Sequence, residues 1–235
     1  MTTPEDPPLL DDATLTRSPV VANNAMNRER GLRGVNSYAR ELGFDPLSRL
    51  GPGTAWLDLC CGSGRALFEA AGDPRAEGVR ITGVDLVDFF LPAARPAGLD
   101  LIAADATGWT APRRYDLITC VHGLHYVGDR LGLLARIASW LTPTGLFVAD
   151  FDPAGLALGA LPGGAAPPGS AARAPAADLP GELRRQGFEY DARRRRLVLR
   201  GARQVVFPYT YRGADDTAGP NYTGQPAVRA HYTGT

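Results

Sequence analysis

This 235-residue chain contains no lysine; all 25 of its basic residues are arginine, and 25 acidic residues balance them to zero formal charge. That balance excludes an overall pull toward nucleic acid or an anionic membrane surface. Cysteine is scarce, with Cys60, Cys61 and Cys120 only, and no Cys-x-x-Cys pair, which argues against a structural metal site. Cys60 and Cys120 fall at the carboxyl ends of neighbouring central strands, where buried free thiols are a better expectation than a redox pair. Residues 1–8 are acidic and proline-rich, with neither a basic region nor an apolar run. The sequence therefore predicts no signal peptide, no transmembrane span and a cytoplasmic location. What remains is 44% hydrophobic and rich in Ala, Gly and Pro, the profile of one ordinary globular domain with room for a full core.

The densest signal runs from Trp56 to Ala70. Trp56-Leu57-Asp58-Leu59 reads as an apolar strand ending at an acid, Cys60-Cys61-Gly62-Ser63-Gly64 as a tight turn, and Arg65 onward as a helix. Gly62 and Gly64 let the backbone turn sharply and approach a ligand with no Cβ in the way. A second acidic-ended strand closes on Asp85, which lies 21 positions after Gly64, at the distance where a carboxylate can accept both hydroxyls of a ribose. Two more strands follow, Leu101 to Asp105 and Tyr115 to Cys120. Strands alternating with helical patterns from Trp56 to Asp152 imply a parallel sheet. A dinucleotide site fits less well: a third glycine is replaced by Leu67, and Asp58 would repel a diphosphate.

These residues resemble the class I S-adenosylmethionine-dependent methyltransferase family over about residues 50–150. Asp58, Gly62 and Gly64 match its first motif, with Cys60 standing where a glycine is usual. Asp85 matches the ribose-binding acid and Asp105-Ala106 the site beside the adenine, while Leu141 to Asp150 matches the late turn and fifth strand, with Thr144 in place of a glycine. The resemblance implies a Rossmann-like, seven-stranded, mostly parallel sheet with helices on both faces and an antiparallel edge strand. It also implies S-adenosyl-L-methionine as cofactor, held by Asp58, Cys60, Gly62, Gly64, Asp85, Leu86, Asp105, Ala106 and Val121.

Ligands of open α/β sheets bind beyond the carboxyl ends of the strands. Val121-His122-Gly123-Leu124-His125-Tyr126 follows the fourth core strand, so His122 and His125 are candidate bases and Tyr126 a candidate acceptor contact. Upstream, residues 1 to about 18 read as a loose tail and Val20 to Leu42 as a polar helix split by Gly31 and Gly34. In the family an N-terminal helix covers the cofactor, which makes Arg33, Asn36 and Tyr38 candidate acceptor-binding residues of a lid. The division expected is thus a tail and lid over 1–45 and a methyltransferase domain over 46–235, with a flexible Ala/Gly/Pro loop at 154–180.

Toward the end, Glu182–Gln186 reads as a helix, while Phe188–Tyr190, Leu197–Leu199 and Val205–Phe207 read as strands. The Arg193–Arg196 run is a solvated hairpin tip, and Gly213 to Thr235 carries too few apolar residues to be core. The function expected is methyl transfer to a hydroxyl or amine of a small molecule in specialised metabolism. The rival is a methyltransferase-fold protein that no longer methylates, a cyclase or partner-binding subunit. No nucleic-acid or membrane partner is expected, and a homodimer is left open.

Overall fold

The computed structural model describes residues 8–22, 29–159 and 178–234. A seven-stranded sheet forms its centre, built from β1 (Ala55–Leu59), β2 (Arg80–Asp85), β3 (Leu99–Ala103), β4 (Tyr115–Cys120), β5 (Leu141–Asp150), β7 (Glu189–Asp191) and β8 (Arg196–Arg200) in the order β3-β2-β1-β4-β5-β8-β7. The first five are mutually parallel, and the β7–β8 hairpin closes the edge by pairing antiparallel to β5. β1 lies inside the sheet between β2 and β4, and every one of its residues is buried, as a strand covered on both faces requires.

Alternation along the strands sends side chains to two apolar clusters. On one face Leu57, Leu59, Ile118 and Phe147 pack beneath Leu134 and Ile137 of α4 (Arg130–Trp140) and Leu183 of α5 (Leu179–Arg185). On the other, Trp56, Ile81, Leu117 and Val148 pack against Leu67 and Ala70 of α3 (Arg65–Ala71) and Tyr38 and Leu42 of α2 (Tyr38–Leu42). Helices therefore cover both faces, but the 86–98 and 104–114 connections carry none. Pro92, Pro96 and Pro112 interrupt them, and proline removes a donor that a helix interior needs.

Several local expectations are corrected. Among the described residues of 20–42 the long polar helix is absent, and only Tyr38–Leu42 is helical, capped by Ser37 and ended by Gly43. Asn23, Asn24, Asn27 and Arg28 lie outside the described residues. The loose tail instead contains α1 (Asp12–Leu15), capped by Asp11, with Leu15 buried and Leu10 bridged to Ala214. Of the loop expected at 154–180, residues 160–177 lie outside the description. Leu156–Leu158 forms β6, and α5 begins already at Leu179. Val205–Phe207 is not a strand, because the Gln186 amide takes the backbone N–H and C=O of Val206 that a neighbouring strand would pair.

The largest correction is the C-terminal segment. β9 (Tyr209–Asp215) and β10 (Arg229–Gly234) pair antiparallel and join β6 in a second, three-stranded sheet. Ala230 and Tyr232 are buried in the core beside α4, so a segment with few large apolar residues is core after all.

Candidate functional site

The cavity lies at the carboxyl ends of β1, β2 and β4 and is walled by the turn after each. Cys60 to Ser63 form its floor, with Gly62 at φ +59° and Gly64 at φ +75°. Cys60 itself is left-handed at φ +56°, a conformation that costs a residue with a Cβ about 1–2 kcal/mol. The Asp85 carboxylate faces the cavity and accepts the N–H groups of Gly62 (2.7 Å) and Val87 (3.1 Å), which locks it to the turn it serves. Leu86, Val87 and Phe89 continue this wall, and Asp105 and Thr107 form its next side. Asp105 also accepts from Thr107 N at 2.9 Å, so it terminates a turn and presents a carboxylate together.

These residues fit a cofactor with a ribose and an amino-acid end. A glycine turn exposes backbone, and a hydroxyl-accepting carboxylate stands beside it. Ala106 is buried and does not line the cavity; its carbonyl accepts from Arg136. Val121 and Leu86 do line it.

Asp58 departs from its expected place on the wall. It is fully buried behind the cavity, where one oxygen accepts from Tyr38 Oη at 2.7 Å and the other from Thr119 Oγ1. Trp56 Nε1 in turn donates to Thr119 at 2.8 Å. Burial pushes the Asp58 carboxyl up to about 7, against the two hydrogen bonds that pull it down. Tyr38 lines the cavity in front of it, its hydroxyl engaged by Asp58.

His122 is the centre of the second half. It lies on the cavity wall at φ +53°, with its backbone N–H donated to Asp150 Oδ2 at 3.1 Å. Its Nε2 is 3.2 Å from Glu41 Oε2 and 3.8 Å from Asp150 Oδ2, and its Nδ1 is 3.0 Å from Tyr222 Oη. The His122 hydrogen bond holds the Glu41 carboxyl below its ordinary range, while burial raises that of Asp150. Arg195 stacks over the Tyr222 ring at 4.3 Å, and Arg196 donates to the Glu41 carbonyl. Glu41, His122 and Asp150 lie within 4.8 Å of one another, as metal ligands can. Arg30 at 3.7 Å from Glu41, with Arg195 and Arg196 close by, supplies positive charge that a dication would oppose.

His125 is corrected. The three-residue turn Leu124–Tyr126 directs it inward, away from the cavity, where burial drops its imidazole to about 3. A ring neutral at every working pH and closed from the cavity is no base for an acceptor there. Tyr126 does line the cavity, donating to Gln225 at 3.2 Å. Asn36 and Arg33 do not: Asn36 donates to the Glu29 carbonyl, and Arg33 bridges Asp45 and Asp73 on the surface. The lid over the cavity is instead α1 and the turn after it, through Asp12, Leu15, Val20 and Val21.

Sequence reasoning missed Glu41, Asp150, Tyr222, Gln225, Asp12 and Arg30. Asp150 alone carried a readable signal, as a further acid ending a core strand. Glu41 and Tyr222 reach His122 from 81 residues before it and 100 after it, and nothing local marks them.

A family model described as "Methyltransferase domain" matches residues 35–192, more than half of the chain. Among curated proteins the chain is similar to a ubiquinone biosynthesis O-methyltransferase of Stutzerimonas stutzeri, 29% identical over 129 residues, covering 46% of this chain and 54% of that one. It is also 32% identical over 108 residues to the uncharacterized protein YjhP of Escherichia coli, covering 43% and 42%. The matches thus span about half the length of these relatives. The solved structure of YjhP superposes with a TM-score of 0.42 at 22% identity, covering 56% of this chain and 55% of that one.

Proposed function

The chain belongs to the S-adenosylmethionine-dependent methyltransferase family, of class I fold, and from that premise we propose that it methylates a hydroxyl or amine of a small molecule, with His122 taking the acceptor's proton. The reading is carried by one observation: the Glu41–His122–Tyr222 chain, whose histidine lies on the cavity wall. With Nε2–H donated to Glu41, the lone pair of His122 lies on Nδ1, where the Tyr222 hydroxyl donates to it. An acceptor hydroxyl that takes the place of Tyr222 Oη meets that lone pair and gives up its proton as the new bond forms. The imidazolium so formed is stabilised by Glu41, with Asp150 close behind.

Bound in the cavity, the cofactor supplies an electrophilic methyl on a sulfonium. The chain's part is to place and to shield. Asp85 accepts the ribose hydroxyls, Tyr38 backed by Asp58 receives the amino-acid end, and α1 with Leu15, Val20 and Val21 keeps water from the reacting atoms. Neutral overall charge supports a small acceptor over nucleic acid, and a role in specialised metabolism is part of the same proposal.

The test is incubation with methyl-labelled S-adenosylmethionine and a panel of small phenols, alcohols and amines, together with cell extract. Labelled small molecules with S-adenosylhomocysteine released in equal amount support the proposal. Label in nucleic acid or protein contradicts it, and cofactor binding without product across the panel points to the non-methylating rival. Against an active acceptor, His122→Ala is expected to lower turnover by about 10²–10⁴-fold while S-adenosylhomocysteine affinity holds.

A further inference from the structure

We propose that Cys60 and Cys120 are a peroxide-sensitive thiol pair whose disulfide weakens cofactor binding at the turn beside it. The second half rests on the reading that Cys60 to Gly64 hold the cofactor. The geometry begins with the sheet: β1 and β4 are parallel neighbours, with Asp58 opposite Thr119. Such strands lie about 4.8 Å apart, inside the span of about 4.4–6.8 Å between the Cα atoms of a disulfide. Cys120 ends β4, and Cys60 begins the turn after β1.

Gly123 brings the two thiols together. A Cβ at that position would stand 2.9 Å from Cys60 Sγ and 2.8 Å from Cys120 Sγ, so both sulfurs converge on the space its hydrogen leaves. Neither cysteine is in a disulfide. Cys61 is set apart, for its sulfur packs toward Gly83 in the apolar cluster on the opposite face of the sheet. Cys60 and Cys120 share the other cluster.

Reactivity is divided between the pair. Cys60 lines the cavity and meets solutes, whereas Cys120 is fully buried, its thiol pushed up by the neighbouring Cys60 and by burial. The Cys60 thiolate attacks the O–O bond of a hydroperoxide, giving a sulfenic acid and releasing water or an alcohol. The Cys120 sulfur then attacks the sulfenic sulfur. Its proton leaves with the displaced hydroxide as water, and an S–S bond forms. Two thiols lose two electrons and the hydroperoxide gains them. The bond draws Cys60 toward β4, against the left-handed geometry in which it now supports Gly62 and, through it, Asp85.

The chain's lack of lysine makes the test clean. Trypsin cuts only at arginine, leaving Cys60 and Cys61 in peptide 50–65 and Cys120 in peptide 115–130. The full chain, reduced and then treated with hydrogen peroxide, is alkylated in denaturant and digested without reductant. The expected product is peptide 50–65 linked to 115–130, released by dithiothreitol, kept in Cys61→Ser and lost in Cys60→Ser and Cys120→Ala. Calorimetric affinity for S-adenosylhomocysteine should fall at least tenfold on oxidation, recover on reduction, and stay unchanged by peroxide in Cys120→Ala. Three alkylated thiols after peroxide, or a link lost in Cys61→Ser and kept in Cys60→Ser, would overturn the pair. A link with unaltered affinity would overturn its effect on binding. A reduced protein that binds no S-adenosylhomocysteine would overturn that effect and the cofactor reading together, while the mapped link would still stand or fall on its own.

Discussion

At the scale of single residues, two buried titratable groups make stability depend on pH. Asp58 is enclosed by Tyr38, Thr119 and Trp56, and its carboxyl titrates near 7 in the folded chain against 3.8 in water. A raised carboxyl pKa means that the folded state binds more protons than the unfolded one between those values. Stability from this group is therefore full below about pH 4 and is lost as pH rises through 7. At the limit the loss is roughly 4 kcal/mol. His125 acts in the opposite sense. Its imidazole is depressed to about 3, so its contribution is full above 6.5 and is lost as pH falls. A comparison of wild type with Asp58→Asn cancels the histidine. From pH 5 to pH 8 the urea midpoint of the cofactor-free wild type should fall relative to that of Asp58→Asn, because only the wild type carries the carboxylate penalty. Parallel pH profiles for the two would show that Asp58 titrates normally.

At the scale of elements, one arginine joins the two sheets. Arg130, at the start of α4, is 1% exposed, and burial lowers it only to about 10, so it stays charged at neutral pH. Its guanidinium donates to the carbonyls of Val127, His125, Gly155 and Val228, which ties the turn after β4 to the segments entering β6 and β10. Arg130→Met leaves those carbonyls without this donor, at an expected cost of about 3–5 kcal/mol. Loss of amide protection at 228–232 should accompany it in hydrogen exchange. A cost under about 1 kcal/mol would show that solvent or the backbone replaces the clamp.

Legibility in the sequence follows the same division. The β1-turn-α3 unit, the parallel strands β1 to β4 and the β7–β8 hairpin depend on local periodicity and turn chemistry, and they appear where the sequence places them. Ala230 and Tyr232 are core because α4 and β9 cover them, and a polar stretch does not show its cover. His122 was legible by position and His125 was not, because three residues of tight turn reverse which imidazole reaches the cavity. Asn36 and Arg33 misled for a similar reason. Their polarity serves the irregular backbone and a surface ion-pair network with Asp45 and Asp73.

At the scale of the whole molecule, the cavity draws its walls from both termini of the described chain as well as from the sheet. α1 supplies the lid, β1, β2 and β4 the floor, and the stretch between β9 and β10 supplies Gln225 to the wall and Tyr222 to His122. A ligand bound there should hold these parts together, raising stability by about 2.7 kcal/mol at a concentration 100 times its dissociation constant. Among the described residues no helix is long and apolar enough to cross a membrane.

The claim on which the rest depends is that this cavity holds S-adenosylmethionine with Asp85 on its ribose. Titration calorimetry of S-adenosylhomocysteine into the reduced protein tests it without knowledge of the acceptor. Saturable one-site binding is expected for the wild type. Asp85→Ala should lose about 1.5–3 kcal/mol, a fall of roughly 10- to 150-fold, and Asp85→Asn, which keeps one acceptor for the turn, should lose less. A wild type that gives no binding heat and no thermal shift with either the cofactor or its demethylated product would contradict the account.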